Sequence, residues 1–311
     1  MHTILGAGGS VANALTRELL NNNQTIRLVS RKQPALTGKN LSWKKADLLN
    51  YAELQEAVKG STVIYLTAGL VYDKNIWAAQ WPVIMQNVIN LAKETGARLI
   101  FFDNVYMYGL VNGPMKEDTP YNPCSKKGEV RAKIATQLMD EAKAGNIKAS
   151  IARAADFYGT DNQNSFFDMM VLNAYANGKS AQWLGSAARL HNFSYIPDMG
   201  KAMYLLGQNP ETDSQIWHMP TAQPLTGKQF IDLAAAAYHT APKFLSINKA
   251  MLWAYGLFNK NVMGTVEMYY QYNHDYIFDS SKFEKAFKVT PTSYEVGIKE
   301  MAETLYKPAS K

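Results

Sequence analysis

His2–Asn22 reads HTILGAGGSVANALTRELLNN. An apolar, strand-like HTILGA passes through a glycine turn into SVANALTRELLNN, where Val11, Leu15 and Leu19 recur on one helical face. Gly6, Gly9 and Ala12 make the pattern Gly-x-x-Gly-x-x-Ala. The glycines let the backbone turn tightly and approach a pyrophosphate, and a small third residue lets helix and strand pack closely. Glycines mark many turns, so the pattern carries weight only in a strand–turn–helix context that opens a βαβ series. That context is present, and it nominates Gly6, Gly8, Gly9, Ser10 and Val11 as ligand-binding residues.

The same rhythm continues outward from this stretch. TIRLVS, a segment within LSWKKADLL, STVIYLTAG, ARLIFFDN and IKASIARAA read as further strands. Between them lie helical patterns around YAELQEAVKG, in a segment opened by Pro82 and closed by Gly96, and in one starting near Ser125, where Val130, Ile134 and Leu138 recur. Alternating strands and helices with short connections predict an α/β chain: a Rossmann-type, doubly wound parallel sheet. After Tyr158 the segments turn less regular and richer in aromatics. The reading therefore divides the chain into a dinucleotide-binding domain over 1–158 and a small, discontinuous C-terminal substrate region over 159–311. Elements at about 190–207 are expected to return to the first domain.

Composition narrows the function classes. With 47% hydrophobic and 19% charged residues, the chain has the make-up of a globular protein with a sizeable core. A net charge of +6 permits anionic ligands, but the basic residues come in pairs such as Arg31–Lys32 and Lys126–Lys127 rather than in an aromatic-interleaved stripe, so nucleic acid is not expected as a partner. Cys124 is the single cysteine, which excludes a disulfide framework. His2, His191, His218, His239 and His274 are scattered without metal-ligand spacing, so no metal site is expected. No apolar run is long enough to span a bilayer, and there is no room for a secretory leader before HTILGAGG. A cytoplasmic protein with a small-molecule substrate and no membrane partner is the expectation.

The end of the second strand selects the cofactor. A free ribose 2′-hydroxyl favours an acidic residue there. Ser30, Arg31 and Lys32 instead offer a hydroxyl and two cations, which suit a 2′-phosphate. NADP is therefore preferred, with NAD the alternative. Asp47 and Leu48 follow the third strand, where an adenine edge is held. Thr67, Ala68 and Gly69 follow the fourth, close to the phosphates and ribose.

GAGGSVA, ADLL, YLTAG, FFDNVYMYG followed by EDTPYNP, and the later NFSYIPDMGKA together resemble the extended and atypical short-chain dehydrogenase/reductases, the NAD-dependent epimerase/dehydratases. The resemblance runs through most of the chain and implies hydride chemistry on a carbonyl or sugar-type molecule, and a homodimer formed through the Pro82–Gly96 and Ser125–Lys143 helices. It also implies a Ser or Thr after the fifth strand and a Tyr followed four residues later by Lys, with Tyr as the acid/base. Here VYMYG puts Asn104 at the first place, and PCSKKGEVRAK puts Lys127 and Arg131 at the other two. All three differ. Tyr175 to Lys179 has the Tyr-x-x-x-Lys spacing but lies beyond the sixth strand, where Tyr175 reads as packing.

Three catalytic replacements follow from side-chain chemistry. Asn104 can donate a hydrogen bond to a substrate carbonyl. Arg131 can bind ribose or phosphate oxygens but stays protonated. Lys127, expected beside Lys126 and Arg131, would lose its proton more readily, which makes it the candidate acid/base. Tyr108, with Tyr106 and Tyr158, is a further proton-donor candidate, though each reads first as an ordinary packed aromatic. Phe166, Phe167, Trp183 and Trp253 read as core. His191, with Arg189 two residues earlier, stands where relatives that act on nucleotide-sugars often carry a diphosphate-gripping arginine. Three readings stand: an oxidoreductase or epimerase with a non-standard proton donor, a non-catalytic NADP-binding regulator, and a structural or interaction protein that binds no cofactor, against which the intact GAGGSVA argues.

Overall fold

Short apolar runs can be buried on both faces inside a parallel sheet covered by helices. In the computed structural model, which describes residues 1–159 and 165–307, seven strands, the interior ones of this kind, share one sheet. They are His2–Leu5 (β1), Ile26–Ser30 (β2), Leu41–Lys45 (β3), Val63–Leu66 (β4), Arg98–Asp103 (β5), Ala149–Arg153 (β6) and Ile216–His218 (β7). All neighbours are parallel, in the order β7-β6-β5-β4-β1-β2-β3. The order reverses at β1 and β4, whose carboxyl ends flank the crevice where open α/β sheets bind ligands. Six of these strands are legible in the sequence, five as apolar runs and β3 as a segment within LSWKKADLL. β7 is only Ile-Trp-His, too short for a period to show.

The helices Ser10–Asn21 (α1), Tyr51–Val58 (α2), Lys74–Thr95 (α3) and Lys126–Lys143 (α4) connect the strands. As expected, α1 buries Val11, Leu15 and Leu19. α3 departs from expectation at its start: it begins at Lys74, and Pro82 lies inside it. Asp73 caps it, its carboxylate accepting from Asn75 N at 2.8 Å and Ile76 N at 3.1 Å. The proline removes one intrahelical hydrogen bond, but burial of Trp77 and Trp81 before it and of Ile84 and Met85 after it holds the helix together. Gly96 ends α3 in the left-handed region, with φ 65°.

The chain divides into two compact units. One comprises Met1–Gly109, Tyr121–Ala154 and Met199–Met219; the other comprises Leu110–Pro120, Ala155–Asp198 and Pro220–Lys311. The boundary thus falls at Ala154 rather than 158, because Asp156–Tyr158 pairs with Phe193–Tyr195 and not with the central sheet. The returning segment is Met199–Met219 rather than about 190–207, because it ends in β7.

Within the first unit this return is clamped by Arg98. Its guanidinium donates to the carbonyls of Leu206, Gly207 and Asn209 at 2.8–3.0 Å, and to Asp213 at 2.8 Å. These carbonyls close the helix Ile196–Gln208, whose last carbonyls have no intrahelical partners. On the same helix, a Cβ on Gly200 would come within 2.7 Å of the Ala14 carbonyl carbon. Only glycine lets this helix lie so close to α1.

The second unit has an aromatic core in which Phe167, Trp183, Phe193 and Phe230 pack ring on ring. Tyr158 belongs to that core, and burial raises its phenol well above the ordinary range. Asp168 is buried there too; burial holds its carboxyl well above the usual carboxylate range, against the opposing hydrogen bond from Gly159 N. Tyr175 packs as expected, its hydroxyl donating to the Lys243 carbonyl. Phe166 packs against the core, but Trp253 is 52% exposed and is not core.

His2 opens β1 with its ring stacked on Tyr65 and Nδ1 3.1 Å from Tyr65 Oη. Burial, reinforced by the amino terminus, lowers its pKa from 6.5 to about 4. The folded state therefore disfavours imidazolium, so the stability it contributes is full above pH 6.5 and drains away as pH falls toward about 4. In urea unfolding followed from pH 7 to pH 4, His2→Gln is expected to lose less stability than the wild type; parallel losses would refute this assignment.

Candidate functional site

The glycine turn joins β1 to α1 by a close approach. Gly6 has φ +84°, and a Cβ there would lie 2.5 Å from Ala68 Cα. Gly6 N and Ala7 N donate to the Val29 carbonyl at 3.0 and 3.1 Å, tying the turn to β2. Gly8, at φ +101°, lies under the Pro34 ring. Gly9 precedes α1 in extended conformation and offers no side chain to cap the turn that begins with Ser10 and Val11. Around the Cβ positions of Gly9 and Gly69 there is open space to 4 Å. Thr67, Ala68 and Gly69 follow β4 alongside this turn, and Thr67 Oγ1 is spent on the Leu5 carbonyl at 3.2 Å.

Beyond β2, Arg31 and Lys32 are exposed and form no ion pair among the described residues. The Ser30 hydroxyl donates to the Lys32 carbonyl at 2.6 Å and accepts from Trp43 Nε1 at 3.1 Å, so it shapes the loop. The Asp47 carboxylate accepts from Leu49 N at 3.0 Å, and the Leu48 carbonyl accepts from Asn87 Nδ2 at 2.9 Å.

A row of charge crosses the carboxyl ends of the strands. Asp103 pairs in register with Arg153, and Arg153 with His218. Arg153 Nη2 donates to Asp103 Oδ2 at 3.1 Å and to Tyr121 Oη at 2.8 Å; Nη1 donates to Tyr108 Oη at 2.7 Å. Tyr108 Oη also shares a hydrogen bond with His218 Nε2 at 2.8 Å. The helix α4 brings Arg131 to the other carboxylate oxygen, Nε to Asp103 Oδ1 at 2.8 Å, with the N–H aimed off the hydrogen-bond line. Its guanidinium lies over Trp81 at 4.4 Å, Phe101 at 5.0 Å and Trp77 at 5.4 Å. Desolvation lowers the pKa of Arg131 against the attraction of Asp103. For Arg153, Tyr108, Asp103 and Tyr121 outweigh desolvation and raise it.

α4 begins hard against the loop after β5. Ser125 caps it, Oγ accepting from Gly128 N at 3.0 Å, and a Cβ on Gly128 would meet the Tyr106 carbonyl oxygen at 2.5 Å. Lys127 lies one residue before this contact, wholly buried, with Nζ 4.1 Å from the Tyr72 ring centroid. Tyr72 Oη donates to Tyr106 Oη at 3.0 Å. Lys126 points outward to Glu129 at 2.9 Å and is not the neighbour of Lys127 that its sequence position suggests, because adjacent helical residues face different ways. Asn104 follows Asp103; its Oδ1 accepts from Tyr106 N at 3.1 Å, and its Nδ2 has no partner among the described residues.

The structure thus assembles two groups from the nominated residues. Gly6, Gly8, Gly9 and Ala68 meet at the turn; Asn104, Tyr108, Lys127 and Arg131 share the ends of β5 and α4. Asp103, Arg153, His218 and Tyr72 were missed. A charged residue closing an apolar strand, as in LIFFD and SIAR, is the signal that points to the first two. Cys124 is exposed. No three His, Cys, Asp or Glu side chains gather as a metal site among the described residues.

Removing the one carboxylate would leave two arginines buried without their counter-ion. Asp103→Ala is expected to lower unfolding free energy by about 3–5 kcal/mol, whereas Lys126→Ala, which breaks an exposed pair, should cost less than about 1 kcal/mol. Urea titration at pH 7 measures both; a change at Asp103 no larger than at Lys126 would contradict the assignment.

Comparison with known proteins bears on what this site does. A sequence model described as the NAD dependent epimerase/dehydratase family matches residues 2–219. A cinnamoyl-CoA reductase 1 of Petunia hybrida is 34% identical over 119 residues, a match that takes in 33% of this chain and 36% of that protein. Among solved structures, a UDP-glucose 4-epimerase of Thermus thermophilus in complex with NAD superposes with a TM-score of 0.78 at 14% identity, covering 96% of this chain and 97% of that one. A dTDP-glucose 4,6-dehydratase from Streptomyces venezuelae with NAD bound gives 0.77 at 14% identity, covering 98% and 97%. At these identities the structures establish the shared fold. No helix among the described residues is long and apolar enough to cross a membrane.

Proposed function

The chain belongs to the NAD dependent epimerase/dehydratase family, and from that premise we propose that it is an NADP-dependent oxidoreductase or epimerase in which Lys127, not a tyrosine, moves the proton. The observation that carries this reading is the placement of Lys127, a fully buried amine at the start of α4, beside the loop that presents Asn104.

The residues at the crevice fit a dinucleotide. The open space at Gly9 and Gly69 leaves room for phosphates against backbone, as no larger side chain would. Arg31 and Lys32 carry two exposed cations at the ribose end, suited to a 2′-phosphate. When bound, the cofactor supplies hydride exchange at a carbon bearing oxygen. Asn104 Nδ2 donates to that oxygen and orients it. Lys127 Nζ holds the proton that the oxygen takes up or gives back, which an arginine cannot do. Arg131, held by Asp103 and three aromatic faces, keeps α4 in place rather than reaching ribose. The substrate is a carbonyl or sugar-type small molecule, and the acyl-CoA reductase and sugar-nucleotide relatives suggest the compounds to try first. A homodimer through α3 and α4 accompanies this reading. The burial of both Lys127 and Arg131 favours a second reading, a non-catalytic NADP-binding regulator.

Thermal shift distinguishes the cofactors. NADP is expected to raise the melting temperature more than NAD, and Arg31→Ser with Lys32→Ser to weaken NADP about ten- to a hundredfold. Greater stabilisation by NAD would reverse the choice. Turnover separates the two readings. NADPH oxidation with aldehydes, ketones, acyl-thioesters and nucleotide-sugars is expected to fall about a hundredfold or more in Lys127→Ala. Tight NADP binding with no turnover by the wild type would instead support the regulator.

A further inference from the structure

Six of the thirteen large apolar side chains exposed among the described residues fall in one short stretch: Phe244, Leu245, Trp253, Tyr255, Leu257 and Phe258. All belong to the second unit. Phe244–Ile247 is a strand with one neighbour, Ala181–Leu184. The helix Lys249–Gly256 follows at once, capped by Asn248, whose side chain accepts from Met251 N. This helix buries Leu252 and Gly256. Its outer positions are no more polar: Ala250, Trp253, Ala254 and Leu257 recur at helical spacing and all are exposed. At its end Phe258 is 93% exposed. A helix with apolar side chains on its outer face as well calls for cover there, and exposed apolar side chains gathered in one short segment mark an interaction surface.

Charge decides what covers it. The sequence from 233 to 266 contains Lys243, Lys249 and Lys260 and no Asp or Glu; Lys243 and Lys249 are exposed beside the patch. A second copy laid against the patch across a twofold axis meets the same surface, so it would set lysines against lysines with no acid from this stretch between them. An anionic surface meets both features, and protruding Trp, Tyr and Phe flanked by Lys is the composition of segments that lie in a membrane interface. We propose that Phe244–Phe258 docks on an anionic lipid surface, with Trp253 and Phe258 entering the boundary between headgroups and acyl chains and Lys243 and Lys249 facing lipid phosphates. This departs from the membrane-free expectation of the sequence, which weighed only spanning segments, and it is independent of the proposed catalysis.

Sedimentation of the full chain with phosphatidylcholine vesicles, with and without phosphatidylglycerol, tests it. Binding is expected only to the anionic vesicles. It should fall about twentyfold in Lys243→Glu with Lys249→Glu, and vanish in Trp253→Ser with Phe258→Ser, whose thermal unfolding should match the wild type because both positions are exposed. No binding at low salt, or equal binding to neutral vesicles, overturns the proposal. A lipid-free oligomer that Trp253→Ser with Phe258→Ser converts to a smaller species also overturns it, by assigning the face to a second copy.

Discussion

Asp103 is the constraint on which the ligand end of the sheet depends. One fully buried carboxylate stands there among three buried cations, Lys127, Arg131 and Arg153. Taking an ion out of water costs several kcal/mol, which close partners must offset. Asp103 serves two of them at once, one from α4 and one from β6, and so fixes helix to strand. Placing Arg131 also places Lys127. The two are four residues apart and share a helical face, so the pairing that draws one inward draws the other.

Aromatic faces complete what the carboxylate cannot. Arg131 Nη1 has no hydrogen bond among the described residues, yet its plane lies on Trp81 and Phe101. Trp77 and Trp81 come from the part of α3 that flanks Pro82. The helix that runs through a proline and the arginine that is short of hydrogen bonds are therefore one arrangement: each is tolerated because the other fills the same buried space.

The doubly wound fold was legible because its signals are local. The glycine turn, the runs VIYL and LIFF, and the spacing of Val11, Leu15 and Leu19 depend only on neighbours within a few residues. The same holds for the cap at Ser125 and the stop at Gly96. Legibility failed where distant contacts overrode a local signal. Pro82 reads as a helix start, and the burial of Trp77 and Trp81 moved that start back to Asp73. Trp253 reads as core, and the structure exposes it.

The sequence by itself determined the strand–turn–helix with its open glycine turn, the cations that follow β2, and the presence of Asn104, Lys127 and Arg131 where the resemblance leads one to expect Ser, Tyr and Lys. Only the tertiary structure decided what surrounds those three. Asp103, Arg153 and His218 are far apart in the chain and meet because β5, β6 and β7 lie side by side in parallel register. Strands pair through backbone hydrogen bonds that every residue except proline can make, so nothing local to FFDN, IAR or IWH reports that they are neighbours.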